Sequence, residues 1–107
     1  MPTYQELSQG MVENFLPDSA SGVNAIIQFD LTGETGGQFY LTLKDGTIEA
    51  QDGTSDEANM TLTSSVDDYY AVATGQMNPM NAFMQGKIKV KGDMGLAMKM
   101  QGMFKVD

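Results

Sequence analysis

VNAIIQFDLTGETGGQFYLTLKDGTIEA, residues 23–50, decides the fold class. Val23, Ala25, Ile27, Phe29 and Leu31 alternate with Asn24, Gln28, Asp30 and Thr32. That period of two puts apolar side chains on one face of a strand and polar ones on the other. Gly33 to Gly37 break the pattern, which resumes with Phe39, Leu41 and Leu43 against Gln38, Tyr40, Thr42 and Lys44. Asp45-Gly46 follows, a pair suited to a two-residue hairpin because both positions of that turn need positive φ. A third strand around Ile48 and Ala50 completes an antiparallel run.

On the N-terminal side, Thr3 and Glu6 stand at capping-box spacing, and Leu7, Met11, Phe15 and Leu16 recur on a helical period that Pro17 ends. On the other side, a loop from Asp52 to Glu57 leads into a fourth strand carrying Met60 and Leu62. Ser64 and Ser65 cap a helix with Val66, Tyr69, Tyr70 and Ala73 on its inner face and Gly75 as its stop. Asn78-Pro79 starts another helix, with Met80, Phe83 and Met84 as expected anchors and Gly86 at its end. A fifth strand, Lys87 to Lys91, precedes Asp93, which caps a last helix running to about Phe104. The order predicts an α+β fold: a five-stranded, mainly antiparallel sheet with helices packed on one face. At 107 residues the chain reads as a single domain, 1–107.

Composition excludes several chemistries. Cysteine and histidine are both absent. Thiolate metal sites and the Ser-His-Asp and Cys-His arrangements are therefore unavailable, as is the usual proton carrier near neutral pH. Asp67 and Asp68 are adjacent, and neighbours on a helix point about 100° apart, so they read as helix-start charges and not as an acid and base pair. Asp52, Thr54 and Asp56 imitate the first oxygens of a calcium loop, but Glu57 occupies the place of its turn glycine. Gly33, Gly36 and Gly37 make a turn between strands, not a phosphate cradle. The expectation is a protein that is not an enzyme and has no catalytic residue, metal or cofactor; a hydrolase built on Ser, Tyr or Lys is the rival, opposed by the missing histidine. The net charge of −8 without arginine argues against nucleic acid. No basic leader opens the chain and no apolar run is long enough to span a bilayer, so a cytoplasmic location is expected. Five of the six lysines, Lys87, Lys89, Lys91, Lys99 and Lys105, fall in the last 21 residues. They suit transient contact with an anionic membrane surface, or the wet face of an edge strand.

Eight of ten methionines lie beyond residue 59. Flexible thioethers fill irregular apolar space and accept varied partners, although ordinary core filling uses them too. In the last helix Met94, Ala97 and Met98 form one ridge, and Leu96, Met100, Met103 and Phe104 another. The sheet covers one ridge; a bound lipid, or a second subunit in a dimerising interaction module, would cover the other.

The stretches TGQMNP (74–79), AFMQGKIKV (82–90) and GDMGLAMKMQ (92–101) resemble the sterol carrier protein type 2 domain, also called the non-specific lipid-transfer domain. The resemblance implies a five-stranded sheet covered by helices, with a tunnel between them for fatty acids, fatty acyl-CoA or sterols. It places Met98 facing that tunnel and the helix of Phe83 and Met84 in its wall. The expected lining is Phe29, Leu41, Met60 and Leu62 from the sheet, Tyr69, Met77, Met80, Phe83 and Met84 from the middle helices, and Ile88, Met94, Leu96, Met98 and Met103 from the end of the chain. The ending Lys105-Val106-Asp107 lacks a Ser-Lys-Leu-like peroxisomal address.

Overall fold

The computed structural model describes residues 3–100 and 102–105. Helix α1 (Tyr4–Glu13) starts at Thr3, whose hydroxyl accepts from the Glu6 amide while the Glu6 carboxylate accepts from the Thr3 amide, a reciprocal capping box. It stops at Asn14, short of the expected Pro17. Phe15 and Leu16 leave the helix to meet the end of the chain: Leu16 N–H donates to the Met103 carbonyl at 2.7 Å, and Lys105 N–H to the Asn14 carbonyl at 2.7 Å. The Phe15 and Phe104 rings stack at a tilt beside this bridge. A single 3₁₀ turn, Pro17–Ala20, leads on to the sheet.

Strands β1 (Asn24–Thr32), β2 (Gly37–Lys44), β3 (Thr47–Asp52), β4 (Met60–Ser65) and β5 (Ile88–Gly92) lie in the spatial order β3-β2-β1-β4-β5. Three of the four pairings are antiparallel; β1 and β4 run parallel, because the chain crosses from the β3 edge to the far side of β1 before pairing again. Asp45 and Gly46 both take positive φ, as the hairpin requires. Gln28 shows how the crossover is held. It points away from the helices yet is buried, its amide donating to the Gly53 carbonyl at 3.0 Å and its carbonyl accepting from the Ser55 amide at 2.8 Å.

The opposite sheet face carries the core. Ile27, Phe29, Leu31, Phe39, Leu41, Leu43, Met60 and Leu62 are buried there. Phe29 pairs with Phe39 across β1 and β2, rings 4.8 Å apart and nearly parallel; Tyr4 stacks on the far side of Phe39 and Tyr69 presents an edge to Phe29. Gly37 makes the Tyr4 contact possible, since a Cβ there would stand 2.5 Å from the Tyr4 ring. Above this face lie α1, α2 (Val66–Ala73, capped by Ser65), α3 (Pro79–Met84, capped by Asn78) and α4 (Met94–Met100, whose Leu96 amide donates to Asp93). Helix α4 is shorter than expected: the chain turns after Met100 to bring Met103 into the core and Phe104 to Phe15.

Candidate functional site

The helices do not close completely over the β4–β5 part of the sheet. The space between is a cavity of about 630 Å³, within the size range of ligand pockets. Its floor is Leu62, Ile88 and Val90, which β-strand alternation turns toward the helices. Leu7, Gly10 and Met11 of α1 form one wall; Tyr69, Val72 and Ala73 of α2 another; Met80 and Phe83 of α3, then Met94, Ala97, Met98 and Met100 of α4, the rest. Depth is graded. Leu7, Met11, Leu62, Tyr69 and Ile88 are buried, whereas Met98 is 67% exposed, Met80 50%, Met94 46% and Phe83 41%. The site is thus a cavity with a buried floor and an exposed apolar mouth between α3 and α4.

Charge is confined to the rim. Glu6 and Lys105 are the charged residues that line the cavity, and both are exposed. Deep inside, the polar atom is the Tyr69 hydroxyl, which donates to the Met11 thioether sulfur at 3.5 Å. Burial pushes the Tyr69 phenol well above the ordinary tyrosine range, so it stays protonated. Among the described residues no group of three or more His, Cys, Asp or Glu is placed to hold a metal ion.

Of the residues expected to line the site, Leu62, Tyr69, Met80, Phe83, Ile88, Met94 and Met98 stand on the cavity wall. The other seven do not. Phe29, Leu41 and Met60 are fully buried in the core and do not reach the cavity, whose sheet floor is Leu62, Ile88 and Val90. Leu96 and Met103 belong to the sheet-facing ridge at the end of the chain and are buried in the core. Met77 packs against the core from the turn after α2, and Met84, 79% exposed, points outward. Nor are Met80, Phe83 and Met84 the anchors of α3; that residue is Ala82, fully buried. Helix α1 and the tail residues Phe104 and Lys105 were not expected in the wall. A signal existed: Gly10, Ala73 and Ala97 place small residues on the inner faces of three helices, where close packing would call for large ones.

Lys89 and Lys91 are exposed on the outer sheet face, alternating with Ile88 and Val90; Lys87 and Lys99 are exposed as well, and Lys105 stands at the rim of the cavity. Among the described residues no helix is long and apolar enough to cross a membrane.

Comparison with known proteins gives a consistent answer. Residues 6–105 match the profile of the SCP-2 sterol transfer family. Hydroxysteroid dehydrogenase-like protein 2 of Bos taurus is 39% identical over 85 residues, a match covering 78% of this chain and 20% of that protein. The chain therefore spans only about a fifth of the curated relative it matches. Among solved structures, apo sterol carrier protein 2 of Yarrowia lipolytica is 32% identical with a TM-score of 0.63, covering 92% of this chain and 75% of that one. A domain of an inverting sec-alkylsulfatase from Pseudomonas sp. superimposes with a TM-score of 0.86 at 18% identity, covering 99% of this chain and 17% of the enzyme. At that identity the likeness is one of fold.

Proposed function

The chain belongs to the SCP-2 sterol transfer family, and from that premise we propose that it is a non-enzymatic lipid carrier that takes a fatty acid, fatty acyl-CoA or sterol-like molecule into the cavity between its helices and β4–β5. The observation that carries this reading is the cavity: large, floored by Leu62, Ile88 and Val90, and mainly apolar, with charge only at its rim. Burying about fifteen methylenes at ~0.8 kcal/mol each contributes on the order of 12 kcal/mol before ordering costs, so micromolar binding requires no charged contact. By the same arithmetic one methylene changes affinity only several-fold, and broad acceptance of chain lengths follows.

The dehydrogenase-like relatives are much longer than this chain, so a role as the lipid-holding part of an enzyme's pathway is consistent with the same cavity. Transient contact with anionic membranes would fall to Lys105, at the rim of the cavity, more than to Lys89 and Lys91 on the outer sheet face. Native mass spectrometry of freshly purified protein tests the carrier reading: added mass that extracts as lipid, one molecule per chain, is expected. Lipid-free protein that also fails to take up added lipid would overturn it, and a tight lipid-free dimer would favour the interaction-module reading of the exposed mouth.

A further inference from the structure

Tyr69 combines three features that no other residue of the cavity shares. It is buried, it lines the cavity, and among the described residues its hydroxyl is bonded only to a thioether, Met11 Sδ at 3.5 Å. A phenol proton is a good donor and a thioether a weak acceptor. Inside an apolar site, where no bulk water competes, an O–H bonded to oxygen is shorter and stronger than one left on sulfur. Met11 has three rotatable side-chain bonds and can swing aside without backbone movement.

We propose that Tyr69 is the polar anchor of the cavity: it donates to an uncharged oxygen of the lipid, replacing Met11 as its partner, so that the ligand lies oxygen end inward and hydrocarbon toward the α3–α4 mouth. The inference rests on the carrier reading and adds orientation and headgroup class to it. The oxygen is uncharged because nothing near Tyr69 would neutralise an anion. Lys105, the one cation that lines the cavity among the described residues, is exposed at its rim, where Glu6 stands as well. A carboxylate carried down to Tyr69 would lose its hydration and gain a single hydrogen bond, a poor exchange. Alcohols, ketones and esters therefore enter oxygen first, and free acids keep the carboxylate at the rim with the chain inward.

Three pyrene-labelled ligands with the same chain, ending in an alcohol, a carboxylate or a plain methyl, separate these terms when titrated into the wild-type protein, Tyr69→Phe and Met11→Leu. Tyr69→Phe removes only the hydroxyl. It should weaken the alcohol about fivefold, the worth of one neutral hydrogen bond, and leave the hydrocarbon and carboxylate unchanged. Met11→Leu removes the competing acceptor and keeps the apolar volume, so the alcohol should bind more tightly than to wild type while the hydrocarbon does not; a misfolded variant cannot produce that gain. Equal alcohol affinity in wild type and Tyr69→Phe, or carboxylate affinity falling with the alcohol's, would overturn the anchor while leaving the carrier reading intact. Failure of all three ligands to bind the wild type would sink both.

Discussion

Ala97→Leu offers a graded test of where the hydrocarbon lies. Ala97 is half-buried on α4 between Met94 and Met98 and lines the cavity. Leucine is nearly as good a helix former as alanine, and its extra carbons have empty space to enter, so folding stability should hold or rise slightly. Those carbons occupy room that a long ligand needs. A chain that fills the cavity would have to withdraw about three methylene equivalents, a loss of ~2.4 kcal/mol or roughly 50-fold in affinity. A chain short enough to leave that room empty would lose nothing. Titrating a series of straight-chain alcohols from ten to eighteen carbons by displacement of a fluorescent lipid reads the difference directly. The optimum should move to shorter chains by about three carbons, with the short-chain end of the series unchanged. Equal weakening at every length, or no change at the long end, would place the hydrocarbon somewhere other than beside α4.

Three further outcomes follow from the packing. Leu41→Ala should cost more stability than Leu62→Ala, near the upper and lower ends of the ~2–5 kcal/mol range for such truncations, because Leu41 is enclosed on all sides whereas Leu62 already faces empty space; urea midpoints that rank the pair the other way would contradict the cavity's placement. Gly37→Ala should destabilise by about 1–3 kcal/mol, since the new methyl must displace the Tyr4 ring that seats α1 on β2, and the loss should shrink when Tyr4 is first cut to alanine. Tyr69, raised by burial above the ordinary value of 10.0, keeps its proton in the folded state while the unfolded chain releases its own. Stability conferred by Tyr69 is therefore full below about pH 10 and falls as pH climbs beyond it, and the tyrosinate absorbance that distinguishes wild type from Tyr69→Phe should rise only with alkaline unfolding.

The central strands were legible because β1 and β2 bury one face: alternation in residues 23–44 reports that face, and Asp45-Gly46 reports the turn that fixes the register with β3, itself largely exposed. The parallel β1–β4 pairing was not, since nothing in strand alternation records which neighbour a strand chooses after a crossover. The caps Thr3, Ser65, Asn78 and Asp93 located the starts of the four α-helices described, but helix ends were overrun twice. Phe15, Leu16, Met103 and Phe104 continue a helical period in sequence while in the fold Leu16 bonds to Met103 and Phe15 bridges to Phe104, and periodicity cannot distinguish a helix from a bridge that keeps the same residues apolar. The site was half legible for a related reason. Apolar side chains signal burial, and Phe29, Leu41, Met60 and Met103 are buried as deeply as any. A cavity is marked instead by what is too small to fill it: Gly10, Ala73 and Ala97 on three converging helices.

Methionine methyl NMR tests the seat of the ligand most directly, because the thioethers report from both sides of the question. Met11, Met80, Met94, Met98 and Met100 line the cavity, while Met60 and Met103 are locked in the core and Met84 points to solvent. On adding a long-chain alcohol to protein carrying ¹³C-labelled methionine methyls, the five cavity signals should move together and saturate at one ligand per chain, with Met60, Met103 and Met84 still. Shifts confined to Met84 and the mouth residues would mean a surface contact with an empty interior, and the carrier would lose its cavity.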